Sequence, residues 1–105
     1  MKWLRDLARD QPCQIRVPGY CTGRSDTTVL CHVRMVELPF YEGAKVHDLL
    51  GAHGCMACHA IVDGHAHPFA FTREQRRLML LEAVMRTQAA LLRDRKIMIA
   101  KGDTP

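Results

Sequence analysis

The sequence predicts a small α+β domain that is stabilised by a bound metal and carries a long C-terminal helix. The chain has 105 residues, 48% hydrophobic and 25% charged, as expected for one globular domain. Four of its five cysteines form two separated pairs, and helical periodicity follows residue 72. We therefore expect a single domain over residues 1–105, with a zinc-bound core at about 12–67 and a basic helix at about 73–95.

The N-terminal half is predicted to contain one short helix and one strand. Residues 2–9 place two leucines at helical spacing, and residues 12–28 are rich in the Pro, Gly, Ser and Asp residues typical of turns. The segment Thr27–Met35 is rich in β-branched and apolar residues, which favours a strand. Residues 39–54 contain one proline and three glycines, and we expect them to be mainly loop.

The C-terminal half is predicted to be mostly helical. A second helix is expected from Cys55 to about Gly64, and Ile97–Ile99 is expected to form a last short strand. Thr72 and Gln75 have the spacing of a capping box, which marks the start of the long helix. The breadth of its apolar face predicts a helix that is well buried or shared with a partner, including a second copy of the chain. The predicted apolar face consists of Leu78, Leu81, Met85, Ala89 and Leu92, and it is widened by Leu80, Val84 and Leu91.

The positive charge of the chain is concentrated in this long helix. The formal net charge is +4, from 15 Lys and Arg against 11 Asp and Glu. Residues 1–72 carry seven charges of each sign, whereas residues 73–96 carry seven basic and three acidic residues. A solvated basic face explains this pattern without a partner, and contact with phosphate groups is the alternative. The residues near the helix start that would make such contacts are Arg73, Arg76 and Arg77.

The number of cysteines favours a metal site over disulfides. No apolar run reaches the roughly 18 residues of a transmembrane helix, and the first residues lack the apolar stretch of a signal peptide. We therefore expect a cytoplasmic protein without membrane contact, in which thiols stay reduced. Cysteine clusters in such proteins commonly bind zinc, which takes four thiolates in a tetrahedron. The proposed ligands are Cys13, Cys21, Cys55 and Cys58.

Three other interpretations of these cysteines remain open. The run Cys55-Met56-Ala57-Cys58-His59 also matches the attachment motif of c-type haem, which would require export. A thioredoxin-like redox pair would need a preceding strand in a βαβ unit, where loop is expected here. The cysteines could also be free and buried. Cys31, on the predicted strand, is expected to be a small core residue.

Histidines and one aspartate form a second set of candidate ligands. His59 follows the cysteine pair directly, and Asp63 lies four residues later, so both side chains share one helical face and could bind one divalent ion. His67 lies where this helix would end and could approach the same ion. His32 would face them from the predicted strand. A strand with a histidine, followed by a loop and a metal-bearing helix, is the ββα-metal arrangement of hydrolytic sites.

The order of these residues resembles zinc-stabilised HNH-type endonucleases and, within them, the YbcO family of phage- and prophage-encoded nucleases. The resemblance extends from the first predicted helix to Arg86-Thr87-Gln88. It implies an HNH-like ββα-metal fold. The residues that carry it are Cys13, Cys21, Cys31-His32-Val33-Arg34, Lys45-x-x-Asp48, Cys55-x-x-Cys58-His59 and Asp63.

The resemblance also implies roles for individual residues. His32 takes the place of the histidine base, and His59 and Asp63 take the places of the ligands of the catalytic metal. The sequence differs from the general HNH pattern in two respects. Cys31 stands where a metal-binding Asp is common, and Asp48 is the nearest counterpart of the central Asn.

The function expected from sequence is metal-dependent hydrolysis of phosphodiester bonds in nucleic acid, with DNA as the expected substrate. His32 would take a proton from water, and Mg²⁺ or another divalent cation would polarise the phosphate. Arg34 and the basic helix would contact neighbouring phosphates. Two alternatives from other classes are a non-catalytic zinc-stabilised nucleic-acid-binding module and a protein-interaction scaffold that uses the long helix.

Overall fold

The described part of the computed structural model, residues 3–33 and 47–100, is a small α+β fold with a two-stranded sheet and a long C-terminal helix. This confirms the predicted α+β class and the long C-terminal helix. Within these ranges, no helix is long and apolar enough to cross a membrane. The elements are α1 (Trp3–Ala8), β1 (Val29–His32), β2 (Gly51–Gly54), α2 (Met56–Val62) and α3 (Arg73–Arg93), with short 3-10 helices at Ser25–Thr27 and Asp48–Leu50.

The antiparallel sheet corrects the prediction that residues 39–54 are mainly loop. Strand β2 pairs with β1 so that His32 lies opposite Gly51, and Val29 lies opposite Gly54. Glycine has low strand propensity, which hid β2 in the sequence. Its small size is needed here, because a Cβ atom at Gly54 would lie 2.9 Å from the Sγ atom of Cys31. The strand before the Cys-x-x-Cys pair therefore belongs to an antiparallel hairpin and not to a βαβ unit.

Strand β1 is shorter than predicted. It ends at His32, and Val33, although its N–H donates to the carbonyl of Leu50 at 3.1 Å, lies outside the strand. The predicted continuation to Met35 falls outside the described residues. His32 thus stands at the last position of the strand, where its side chain is half-buried at the edge of the sheet.

Helix α3 begins where predicted but buries only part of the predicted apolar face. Both capping-box bonds are present, with the N–H of Gln75 donating to Thr72 Oγ1 at 3.0 Å. The predicted face was wrong at Leu78, Met85 and Leu92, which are 56%, 70% and 42% exposed, whereas Val84 and Leu91 are buried as expected. The helix packs on the glycine-containing strand β2, so smaller residues fit against the sheet. Its buried residues are Ala83, Val84, Thr87 and Leu91.

The predicted last strand at Ile97–Ile99 was also wrong. The helix ends at Arg93, and the residues after it form turns and irregular backbone up to residue 100. The described sheet contains only β1 and β2, so this segment pairs with no strand there. Met98 and Ile99 are 71% and 58% exposed, so their apolar character does not reflect core packing.

Three consecutive residues of α3 connect the helix to the rest of the domain. The guanidinium of Arg86 donates to the carbonyl of Gln14 at 2.6 and 2.8 Å. The Oγ1 atom of Thr87 accepts from the N–H of His53 on β2 at 3.0 Å. Gln88 Nε2 donates to the carbonyl of Leu49 in the second 3-10 helix at 2.9 Å. Helix α3 therefore fixes the cysteine-bearing loop, strand β2 and the turn before that strand with side-chain hydrogen bonds.

Candidate metal centre and active-site cleft

The four predicted zinc ligands come together in one buried cluster. The Sγ atoms of Cys13, Cys21, Cys55 and Cys58 all lie within 4.8 Å of one another. Those of Cys21 and Cys55 are 3.9 Å apart. Sulfur atoms on a zinc tetrahedron with bonds near 2.3 Å lie about 3.8 Å apart, so a small contraction of the cluster suffices. These four cysteines can hold a metal such as zinc.

Backbone N–H groups around the cluster favour the thiolate form that a metal requires. The N–H of Arg16 points at Cys13 Sγ, 3.5 Å away, because Arg16 adopts a left-handed conformation with φ 55°. The N–H of Val17 donates to Cys58 Sγ at 3.4 Å. The turn after Cys13 thus serves both halves of the cluster. On the other side, Cys55 is the N-cap of α2, which places both residues of the Cys-x-x-Cys pair at the start of that helix.

A hydrogen bond within the cluster shifts the pKa values of Cys13 and Cys58 in opposite directions. A hydrogen bond from the Cys58 thiol, reinforced by the N–H of Arg16, lowers the pKa of Cys13 to about 4. The same bond raises the pKa of Cys58, which keeps the shared proton. A thiolate is therefore already favoured at one corner of the cluster, which is the chemistry expected of a metal-binding site.

Cys31 takes no part in this cluster. It is 1% exposed, which confirms the expectation of a core residue. Burial, with a contribution from the negative charge of Asp63, raises the pKa of its thiol to about 12. A buried neutral thiol is a poor ligand for a hard divalent cation, so Cys31 is not a candidate ligand for such an ion.

A cleft of about 250 Å³ brings together residues from β1, the end of α2 and the start of α3. Two of the predicted site residues, His32 and Asp63, lie on one wall, and the N-terminal turns of α3 supply the other. Leu80 and Leu81 form part of its apolar lining. The polar residues of the cleft are His32, Asp63, His65, Arg73, Arg76 and Arg77.

The side chain of His32 is fixed by Asp48, a contact that sequence reasoning missed. His32 Nε2 lies 2.7 Å from Asp48 Oδ1, and the Arg5 Nε atom on α1 lies 3.2 Å from Asp48 Oδ2. The Asp48 side chain is 14% exposed. The sequence suggested Asp48 only as a counterpart of the central Asn. Sixteen residues separate the two, and no local pattern signals such a contact.

His59 and Asp63 meet on α2 as their spacing predicts. His59 Nε2 and Asp63 Oδ2 are 3.0 Å apart, and both side chains are partly exposed. Two neighbouring ligands of an octahedral ion, with bonds of about 2.1 Å, lie about 3.0 Å apart. The spacing of this hydrogen-bonded pair is therefore also compatible with two ligand positions of one divalent ion.

His67 does not join that pair in the structure. Its ring stacks on Tyr20 with centroids 4.6 Å apart, and its backbone is left-handed at φ 48°. Among residues 3–33 and 47–100, only the four cysteines form a group of three or more candidate ligands. His65, which the sequence analysis did not select, lines the cleft instead. The conformation of the turn that contains His65 and His67 decides which of the two faces the cleft. No sequence motif predicts that conformation.

The predicted phosphate-binding arginines have different environments. Arg73 and Arg77 line the cleft one helical turn apart and are exposed. Arg76 also lines it, but its guanidinium donates to the carbonyls of Phe71 at 3.0 Å and Pro68 at 3.3 Å. Arg76 therefore stabilises the segment before α3, whereas the other two are available to an anion. Arg34 lies outside the described residues.

The chain is similar to a known protein family and to two of its members. The family model described as "Putative nuclease YbcO" matches residues 2–96. The chain is 37% identical over 93 residues to "Putative nuclease YbcO" of Escherichia coli strain K12, across 87% of this chain and 92% of the relative. A protein of Enterobacteria phage 82 with the corresponding name has the same identity and coverage.

A solved structure agrees with the fold. It is titled "Structure of a putative bacteriophage protein from Escherichia coli str. K-12 substr. MG1655". It matches with a TM-score of 0.72 at 33% identity, over 89% of this chain and 100% of that one. Together with the family match over residues 2–96, these relatives show that the chain belongs to the family described as "Putative nuclease YbcO".

Proposed function

We propose that this protein is a metal-dependent endonuclease of the HNH type that hydrolyses phosphodiester bonds in DNA. The observation that supports this most strongly is the single cleft that holds His32, Asp63 and two free arginines. A histidine poised as base, a metal-binding carboxylate and phosphate-binding cations are the components that such hydrolysis needs. The names of the relatives point to the same class.

His32 acts as the general base in this proposal. Because its Nε2 faces Asp48, the other ring nitrogen, Nδ1, is the one left to accept a proton from water. An imidazole nitrogen with a free lone pair can accept a proton from water and therefore suits this role. The partly exposed side chain, at the end of β1, is accessible to substrate from the cleft.

His59 and Asp63 would hold the catalytic divalent ion. When bound there, Mg²⁺ or Mn²⁺ supplies positive charge that polarises the phosphate and stabilises the leaving oxygen. With two protein ligands, the site keeps open positions for the substrate, as a hydrolytic site requires. We assign the four-cysteine cluster to a structural zinc, since four protein thiolates leave no open position for substrate.

Arg73, Arg77 and His65 would bind phosphates next to the scissile one. Basic residues in the first turns of a helix oppose its dipole, which lowers helix stability unless an anion is bound there. Both arginines lie in the first five residues of α3, and both face the cleft. Contacts of this kind read no base sequence, so binding should depend on salt more than on sequence.

Plasmid nicking with added Mg²⁺ or Mn²⁺ tests this function. We expect the wild type to convert supercoiled to open-circular DNA and His32→Ala to lose this activity. Asp26→Asn, an exposed acidic residue paired with Arg24, serves as the matched control and should cleave normally. No cleavage by the wild type with any divalent metal would instead favour the non-catalytic nucleic-acid-binding module.

The exposed residues of α3 favour a second candidate, a protein-interaction scaffold. Leu78, Met85 and Leu92 are spaced seven residues apart and lie on the side opposite the core. A scaffold that pairs two copies through this helix predicts a stable dimer by light scattering and no salt-dependent DNA affinity. A monomer that binds DNA in low salt would exclude it.

A further inference from the structure

We infer that Asp48 is a positioning residue that fixes the tautomer of His32, an inference that rests on the proposed nuclease function. The carboxylate would hold the proton of the imidazole on Nε2 and direct Nδ1 toward the attacking water. It would also stabilise the imidazolium that forms when His32 takes the proton.

The distances support a directed contact. Asp48 Oδ1 lies 2.7 Å from His32 Nε2, within the range of a charge-assisted hydrogen bond. Arg5 pairs with the second oxygen at 3.2 Å, which holds the carboxylate in this orientation. An ionised carboxylate can only accept, so the ring nitrogen facing it must carry the hydrogen. The neutral form of His32 is therefore protonated at Nε2 and free at Nδ1.

The turn that carries Asp48 is fixed on both sides. Within it, the N–H of Leu49 donates to His47 Nδ1 at 3.0 Å. The carbonyl of Leu49 accepts from Gln88 on α3, and the carbonyl of Leu50 accepts from Val33 next to His32. The carboxylate thus belongs to a turn that is tied both to the helix lining the cleft and to the end of β1. A rigid second partner of this kind is what orients a catalytic histidine.

The charged and titratable groups on the two sides of His32 differ. Asp48 and Arg5 form one side, as a paired carboxylate and guanidinium. The cleft side presents the polar groups that would meet the substrate. These are Asp63, His65, Arg73 and Arg77. The tautomer is therefore set from the protein side, and the cleft side remains free for water and phosphate.

The variant Asp48→Asn tests the inference, because the amide is isosteric but can donate as well as accept. It can hold His32 in either tautomer. We expect kcat for DNA cleavage to fall about 100-fold, the lower range for a general base, with KM within about twofold of wild type. Asp48→Glu, which keeps a carboxylate, should recover part of kcat. Asp26→Asn is the control for removal of an exposed carboxylate.

The tautomer itself is read by long-range ¹H–¹⁵N correlation spectra of protein labelled at histidine. We expect wild type and Asp26→Asn to show His32 protonated at Nε2, and Asp48→Asn to show a mixed or reversed tautomer. An unchanged tautomer or an unchanged kcat in folded Asp48→Asn would overturn the inference. If that variant does not fold, Gln88→Glu, which loses the bond to Leu49, should shift tautomer and kcat in the same direction, and wild-type values would overturn the inference.

The spectra need no substrate, so the two proposals fail separately. A wild type that cleaves no DNA removes the nuclease function, while the tautomer still reports whether Asp48 orients His32.

Discussion

The cysteine cluster and the cleft lie at opposite ends of helix α2 and differ in construction. At the N-terminal end, Cys55 and Cys58 are fully buried and point at two further thiols. At the C-terminal end, Asp63 and the nearby His59 are partly exposed and offer only two ligand atoms. Helix α2 and its two capping residues therefore carry a closed cluster of cysteines and an open pair of His59 and Asp63.

This difference predicts that the cysteine cluster stabilises the fold, whereas the cleft carries out the proposed reaction. A closed four-thiolate site has no position for substrate, and its metal contributes to folding. An open two-ligand site contributes little to folding but leaves room for water and phosphate. Substitutions in the cluster should therefore abolish the fold, whereas substitutions in the cleft should abolish activity and leave the fold intact.

Loss of the cysteine metal should have the largest effect. We expect Cys58→Ser, or treatment of the wild type with a strong chelator, to unfold the domain, because structural zinc contributes about 10 kcal/mol or more in small domains. Circular dichroism and metal analysis would check this, with about one zinc expected per folded chain. A protein that is metal-free and still cooperatively folded would contradict a structural role for the cysteine cluster.

Removal of the open-site ligands should affect only activity. Asp63→Asn and His59→Ala are expected to lower cleavage at fixed Mn²⁺ by about 100-fold, since ligand loss weakens metal binding or charge stabilisation. Their zinc content and Tm should stay close to wild type. Loss of zinc or unfolding in either variant would contradict the prediction that His59 and Asp63 serve activity and not the fold.

Glycines of β2 offer a test of the packing between the two sites. A Cβ atom at Gly54 would meet Cys31 Sγ and the side chain of Ile15, which is 3% exposed in the core. We expect Gly54→Ala to cost about 1–3 kcal/mol of unfolding free energy. Gly51→Ala, the matched control, meets only the half-buried side chain of Leu30 and a nearby carbonyl, and should cost less. Urea unfolding measures both, and equal costs would contradict this packing.

The smallest expected effect concerns the arginines of the cleft. The double variant Arg73→Ala, Arg77→Ala should weaken DNA binding and reduce the slope of log K against log salt by about 2. Arg93→Ala is the control, because Arg93 lies at the other end of α3 and pairs with Asp94. Fluorescence anisotropy over a salt series would measure both. A slope equal to that of the control would remove these arginines from the DNA interface.

The features that the sequence predicted correctly depend mainly on residues close together in the chain. The capping box of Thr72 and Gln75 and the pairing of His59 with Asp63 depend on residues three or four positions apart, and both are present. The cysteine cluster followed from residue type alone. Periodicity predicted only part of the buried face of α3, because Val84 and Leu91 pack into the core, whereas Leu78 and Met85 are exposed.

Features set by tertiary contacts could not be predicted. Strand β2 has little strand propensity of its own and forms by pairing with β1. The contact between Asp48 and His32 joins a turn to a strand end. His65 and not His67 lines the cleft, and both follow from the turn after α2, in which Gly64 and His67 have positive φ. In each case, the information lies in the packing of distant segments.

The rate of plasmid nicking by His32→Ala, measured together with its zinc content and Tm, decides whether His32 is the general base. We expect cleavage to fall by about 100-fold or more while zinc content and Tm match the wild type. Cleavage at the wild-type rate by a folded, zinc-loaded His32→Ala would contradict that role.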